Sequence, residues 1–187
     1  MYDDLKKAVE VLKSGGIILY PTDTIWGIGC DATNVEAVKR IYEIKKRKDS
    51  KRMLILMENP ALLDRYVDEV PDVAWDLVEI STTPLTVIYP GAKNLAANLI
   101  AEDGSIGIRF TKEEFTTKLL QRFRRPIVSS SANISGEKSP TCFDDVADEI
   151  KDGVDYIVEY RQDDRIPAKP SSVIKLGPSG QIDILRK

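Results

Sequence analysis

Gly15-Gly16-Ile17-Ile18-Leu19-Tyr20-Pro21-Thr22-Asp23-Thr24-Ile25-Trp26-Gly27-Ile28-Gly29-Cys30 is the stretch on which the fold turns. Ile17–Tyr20 is an unbroken apolar run ending at a proline, the pattern of a short strand covered on both faces. Pro21-Thr22-Asp23-Thr24 then forms a polar loop, and Trp26–Cys30 reads as a second extended run. Upstream, Tyr2, Leu5, Ala8, Val9 and Leu12 recur at helical spacing and Gly15-Gly16 closes the segment, so a helix is expected over Tyr2–Lys13. Downstream, Thr33-x-x-Glu36 has the form of a capping box, and Val38, Ile41 and Ile44 mark the helix it opens, which ends in Lys45, Lys46 and Arg47.

Farther along, Met53–Met57 is a continuous apolar run expected as a central strand, and Ala61–Tyr66 and Val73–Ile80 read as helices on either side of Pro71. Leu85–Tyr89 and Ser105–Arg109 are strand candidates, Phe115–Phe123 is helical in pattern, and Ile127–Ser129 is a short strand entering a loop at Ser130. After a helix containing Val146–Ile150, strands are expected at Tyr156–Val158, Ser172–Leu176 and Ile182–Leu185. The last strands follow one another without helices between them, which requires antiparallel pairs and predicts a mixed α/β sheet. Residues 1–187 are expected to form a single domain, because a chain of this length buries roughly 70% of its unfolded surface.

Composition narrows the chemistry. Apolar residues at 42% with charged residues at 30% put the chain among globular proteins and outside the disordered regime. There is no histidine, which removes His-based triads, most zinc sites and imidazole acid–base catalysis; no metal ligand set is expected. Cys30 and Cys142 form no Cys-x-x-Cys pair and read as small buried hydrophobes, which suits a reducing compartment. The N-terminus carries no signal-peptide pattern and no stretch has the length of a membrane span, so a cytoplasmic protein is expected. A net charge of −3 argues against a whole-surface nucleic-acid binder.

Two segments can carry chemistry, and each has a plainer reading beside it. Lys45-Lys46-Arg47-Lys48-Asp49-Ser50-Lys51-Arg52 packs six cations into eight positions. It is either a solvated helix end offsetting the macrodipole, at roughly 0.3–1 kcal/mol per charge, or a polyphosphate grip. Ser129-Ser130-Ser131-Ala132-Asn133-Ile134-Ser135-Gly136 is either a self-satisfying turn or a strand-end site where hydroxyls, an amide and backbone N–H groups meet a phosphate or nucleoside. Pro21–Thr24 has the same two readings. Gly27-x-Gly29-x-x-Ala32 nominally fits a relaxed dinucleotide fingerprint but is rejected, since the helix starts only after Ala32 and Asp31 would lie where phosphate must. No Walker P-loop occurs. Arg122-Phe123-Arg124-Arg125 fits RNA contact, but Phe123 is expected to pack inward, as is Trp26.

Taken in order, these pieces resemble the YrdC/TsaC family of threonylcarbamoyl-AMP synthases over nearly the whole chain. The resemblance rests on Gly15-Gly16 through Tyr20-Pro21-Thr22-Asp23-Thr24-Ile25-Trp26-Gly27, on Lys45-x-Arg47 with Lys51, and on Ser131-x-Asn133 within Ser-Ala-Asn-Ile-Ser-Gly. Gly107-Ile108-Arg109, Pro170-Ser171-Ser172-Val173 and Leu185-Arg186 complete it. It implies a YrdC-like α/β fold: a twisted open mixed sheet with flanking helices and a concave basic face. It also implies synthesis of L-threonylcarbamoyl-AMP from L-threonine, bicarbonate and ATP, with release of pyrophosphate, for tRNA modification. Lys45 and Arg47 would be catalytic, with Lys45 beside phosphate or bicarbonate. ATP would contact Arg47, Lys51, Ser131, Asn133, Ser139 and Arg186, while Thr24, Arg109, Ser129 and Ser171 would hold threonine. Mg²⁺ would enter bound to the phosphates, and Asp23 is the carboxylate available as a base.

A tRNA-modifying transferase complex of the TsaD/TsaB/TsaE type would accept the product, with weak RNA binding as a secondary property. Lys48 and Arg52 stand where the family has prolines, Trp26 where it has Tyr and Leu56 where many members have His. The altered basic loop keeps open a YciO-like paralogue acting on another substrate, and Arg122, Arg124 and Arg125 keep open a non-catalytic double-stranded RNA or tRNA-binding module.

Overall fold

The computed structural model describes residues 1–47, 53–165, 169–177 and 179–187. Lys48, Lys51 and Arg52 of the basic run therefore lie outside the described residues. Helix α1 (Tyr2–Lys13) buries Leu5, Ala8, Val9 and Leu12. Just past its end Gly15 sits at φ +79°, a left-handed position that a side chain would strain. Strands β1 (Ile18–Tyr20) and β2 (Gly27–Gly29) pair antiparallel across the Pro-Thr-Asp-Thr loop. Gly27 and Gly29 are thus strand residues and open no helix, as the rejection of a dinucleotide fingerprint requires.

Helix α2 (Val35–Ile44) is capped one residue later than the sequence pattern indicates. Its N-cap is Asn34, whose side chain accepts from the Ala37 N–H at 3.1 Å. Thr33 is already engaged, giving its N–H and its hydroxyl to Asp31 Oδ1 at 2.8 and 2.7 Å, so the capping role passes to its neighbour. There follow β3 (Leu54–Met57), a 3₁₀ turn over Pro60–Arg65 where an α-helix was expected, α3 (Asp72–Ile80), β4 (Leu85–Tyr89) and β5 (Ile106–Phe110). Then come α4 (Glu114–Phe123), β6 (Ile127–Ser131), α5 (Asp148–Gly153), β7 (Tyr156–Ile157), β8 (Ser172–Leu176) and β9 (Ile182–Arg186).

The nine strands among the described residues form one sheet in the order β7-β1-β2-β6-β3-β5-β4-β8-β9, with β3 at its centre. Pairs β1–β7, β3–β5 and β4–β8 are parallel and the others antiparallel, the mixed sheet expected from the closely spaced late strands. Alternation along each strand feeds two cores. Leu19, Ile28, Ile55 and Val128 join α2, α3 and α5 on one face, whereas Ile18, Tyr20, Leu56 and Ile127 join α1 and α4 on the other. That is why β1 is buried at every position. Among the described residues no helix is long and apolar enough to cross a membrane.

Candidate functional site

The second core ends where α1 and α4 stop covering the sheet, and polar residues of the same strand parity continue beyond it. On β6, Ser129 and Ser131 follow Ile127 at intervals of two. On β3 and β5, Leu56 lies opposite Arg109 and Leu54 opposite Gly107. The strand β6 runs through Ser131, two residues past the strand end expected at Ser129, because Ser131 pairs with Gly27 and Ser130 with Ile28. A Cβ on Gly27 would stand 3.2 Å from the Ser130 carbonyl oxygen and 3.4 Å from Ser129 Oγ, so the bare backbone there preserves the hollow.

The hollow is a cleft of about 200 Å³ lined by Thr24, Arg47, Arg109, Ser129, Ser130, Ser131, Ser139, Ser171 and Arg186, with Ile25, Gly27, Met53, Leu54 and Pro170. Eight side chains singled out from sequence converge here from six separate parts of the chain. Among the described residues three arginines and five serines line it and no carboxylate does. Such a wall suits a ligand carrying several anionic oxygens.

The supports are specific. Thr22 Oγ1 donates to the Ile25 carbonyl at 2.8 Å, so its single proton is spent and it accepts from both the Thr24 N–H and the Thr24 hydroxyl. The Thr24 oxygen is thereby left to accept from a ligand. The Thr116 hydroxyl on α4 donates to the Pro21 carbonyl and holds the loop's entrance. Arg186, at the end of β9, donates through Nε to the Ser171 carbonyl at 2.8 Å, and Ser171 and Thr86 hydroxyls lie 2.8 Å apart. Arg109 is 4% exposed and its Nη2 lies 3.2 Å from Asp23 Oδ1. Arg109 Nε and Asp23 Oδ1 are buried without a well-aligned hydrogen-bond partner. Burial pushes the Asp23 carboxyl up, against the opposing pull of Arg109.

Two residues singled out from sequence lie behind the cleft rather than along it. Lys45 is 1% exposed, and its Nζ donates to the carbonyls of Ser131 and Asn133, while its own carbonyl accepts from Ser135 N–H at 2.8 Å. Burial, with a smaller contribution from the Arg47 charge, lowers its amine to about 7. Asn133 gives Nδ2 to the carbonyls of Ile134 and Glu137, both at 2.9 Å, and its buried Oδ1 has no partner. Both side chains thus fold the Ser-Ala-Asn loop. Lys51 falls outside the described residues. Ile25, Gly27, Met53, Leu54, Ser130 and Pro170 also line the cleft although they were not expected there; Gly27 and Leu54 lie opposite Ser131 and Ser129, a register hidden by ending β6 at Ser129, whereas Ser130 has the other strand parity and offered no such signal.

Elsewhere, Trp26 and Phe123 are core residues at 6% and 4% exposed, as expected. Arg122 lies over the Tyr2 ring and Arg125 pairs with Asp31. Cys30 is buried and Cys142 half-buried.

Fold and site together define an α/β protein whose mixed sheet gathers arginines and hydroxyls around an open cleft of a chemistry suited to anionic oxygens. A family model, Sua5_yciO_yrdC, described as "Telomere recombination", matches residues 10–187, and the chain belongs to this Sua5/YciO/YrdC family. It is 32% identical over 155 residues to the threonylcarbamoyl-AMP synthase of Pseudoalteromonas translucida (strain TAC 125), covering 81% of this chain and 83% of that one. Among solved structures it is similar to P. abyssi Sua5 complexed with L-threonine, at 28% identity and a TM-score of 0.82, covering 92% of this chain but only 50% of that one. It is also similar to E. coli YciO, at 25% identity and a TM-score of 0.86, covering 100% of this chain and 90% of the other.

Proposed function

We propose that the protein is an L-threonylcarbamoyladenylate synthase, acting as one unit over residues 1–187 and joining L-threonine, bicarbonate and ATP with loss of pyrophosphate, for tRNA modification. The observation that carries the reading is the gathering of Arg47, Arg109 and Arg186 with Thr24, Ser129, Ser131, Ser139 and Ser171 around one cleft that no carboxylate lines among the described residues. The names of the relatives support it. Arg109 receives the threonine carboxylate, for which its unpartnered Nε is suited, and Ser129 and Ser171 flank it. Thr24, its own proton committed to Thr22, accepts from the substrate amine.

Arg47 and Lys51 draw in the triphosphate, with Ser131, Ser139 and Arg186 at the nucleotide. The neutral amine nitrogen bonds to the carbon of bicarbonate with loss of water, or to CO₂ with loss of a proton to solvent, giving the carbamate; a carbamate oxygen then attacks the α-phosphorus as the bond to pyrophosphate breaks. Positioning and fixed positive charge provide the acceleration, so an imidazole is not required. Among the described residues no group of three ligand side chains could hold a metal ion, so magnesium would enter on the phosphates of ATP rather than on a ligand set of these residues. Asp23 serves as the counter-ion of Arg109. Lys45 and Asn133 shape the nucleotide loop from behind.

Product transfer to a TsaD/TsaB/TsaE-type complex belongs to the same proposal, as does a cytoplasmic location. Arg122 and Arg125 are engaged with Tyr2 and Asp31, which disfavours the RNA-binding module. The likeness to YciO over the whole chain favours, as second reading, a paralogue with another substrate. The test is pyrophosphate release from ATP and bicarbonate with L-threonine, with L-serine or with neither, the adenylate being identified by mass. Threonine-dependent release with a threonylcarbamoyl-AMP mass is expected. No release with either amino acid, where an authentic synthase turns over, would establish the second reading instead.

A further inference from the structure

A second and larger cavity, of about 510 Å³, opens at the end of the sheet beneath α3, within the ~300–1,000 Å³ range of small-molecule sites. Its body is apolar, formed by Trp75 and Val78 of α3 with Pro84, Leu85 and Phe110. Its charged rim is unbalanced: Asp23, Glu58 and Glu79 face it against the single ammonium of Lys112, which already lies 3.5 Å from the Ser81 carbonyl. Three carboxylates repel the triphosphate, so this is no extension of the nucleotide cleft. Asp23 lines this cavity and reaches the first cleft only through its contact with Arg109. One of its oxygens is covered and lies 3.2 Å from Arg109, and the side chain keeps 15% exposure where it lines the larger cavity.

We propose that this cavity binds an amphipathic organic cation, an aromatic or branched apolar body ending in a protonated amine, and that its occupancy is coupled to the amino-acid site through Asp23. The apolar body fills the space beside Trp75, Phe110 and Leu85, with cation–π attraction available at the Trp75 ring. The ammonium pairs with the part-exposed carboxylate of Asp23 and with Glu79. Neutralising Asp23 removes the negative charge that partly offsets Arg109, so a carboxylate bound to Arg109 is held more tightly: the coupling is positive. It is also reciprocal, so threonine tightens the amine by the same factor. This coupling rests on the assignment of Arg109 to threonine; the cavity and its preference for cations do not.

Phenethylamine and its anionic counterpart 3-phenylpropionate are titrated into the full chain by calorimetry, with tryptophan fluorescence reporting on Trp75. Saturable binding of the amine is expected, with the carboxylate bound at least about tenfold more weakly. Trp75→Ala and Glu79→Lys, each verified to melt as the parent does, are expected to weaken the amine about fivefold or more. Saturating amine is expected to lower the threonine Kd about fivefold, at the modest end of site-to-site couplings. No saturation, equal binding of the carboxylate, or both variants binding like the parent would overturn the cavity assignment. Amine binding that leaves the threonine Kd unchanged would overturn the coupling. Normal amine binding to a chain that does not bind threonine would support the cavity and count against the synthase reading instead.

Discussion

Replacing Lys45 by methionine isolates what a buried ammonium does behind the nucleotide loop. The methionine fills a similar apolar volume but leaves the Ser131 and Asn133 carbonyls without their donor. Each unpaired buried acceptor costs about 1–3 kcal/mol, and loss of the ammonium's desolvation returns part of that, so a net loss of about 2–3 kcal/mol is expected near pH 8. The pH dependence is diagnostic. Burial lowers the folded-state amine to about 7 from the ordinary 10.5, so the cost of holding it charged is fully present below pH 7 and is relieved as pH rises toward 10.5. Wild-type stability therefore gains up to about 1.4 kcal/mol per pH unit from this group, and the methionine variant gains nothing. The gap between them should widen by about 2 kcal/mol from pH 7.5 to 9 in urea unfolding read at constant m-value. A gap that stays flat would mean that the two carbonyls hold the ammonium charged throughout and would refute the titration argument. In turnover, a loop released from its staple should raise KM for ATP more than it lowers kcat; a collapse of kcat at unchanged KM would put the amine in the chemistry itself.

Three further outcomes follow from single contacts. Arg109→Met strands the Asp23 carboxylate beside an apolar side chain and should cost about 3–5 kcal/mol in urea unfolding, most of it recovered by adding Asp23→Asn; a double variant no more stable than the single one would contradict the pairing. Gly29→Ala would set a Cβ 2.3 Å from the Val128 carbonyl oxygen and should destabilise by about 1–3 kcal/mol or more, whereas an unchanged melting temperature would show that β2 and β6 separate easily. Asp103 is held at about 2, below its ordinary value, chiefly by Lys175 and then by Ser105, so its contribution is present above pH 4 and lost as pH falls toward 2. Both partners of that ion pair are about half-exposed, which limits the effect of Asp103→Asn to under about 1 kcal/mol near neutrality, with the gap closing in acid titrations.

Much of the fold was legible because both kinds of period are strong here. The run Ile17–Tyr20 and the helical spacing of Tyr2–Lys13 are continuous, and the structure returns them within a residue. Errors fell where two local bonds compete. Thr33 has the composition of an N-cap, but a carboxylate two residues earlier offers its hydroxyl a partner at 2.7 Å, and spacing cannot reveal which bond is made. Pro60–Arg65 has helical composition yet winds as a 3₁₀ turn, its Leu63 carbonyl taking the Tyr66 N–H before the chain bends away. In the site, the residue types were legible and their orientations were not. Lys45 and Arg47 look equivalent in sequence, two positions apart at a helix end; only the three-dimensional path sends one into the cleft and the other beneath a loop.

That division of labour has a consequence for pH. Guanidinium and hydroxyl groups line the cleft, and neither changes charge near neutrality. Lys45, by contrast, titrates near 7 and touches the loop only through two carbonyls and its own backbone. A neutral amine still donates to both carbonyls, so the loop keeps its shape across the titration while the local field on the nucleotide side loses one positive charge. Nucleotide affinity should therefore weaken from pH 6 to 8 by less than the loss of a direct phosphate contact would give. The same curve measured on Lys45→Met separates the contribution of this buried charge from that of the phosphates, because the phosphates titrate with both proteins and the amine with only one.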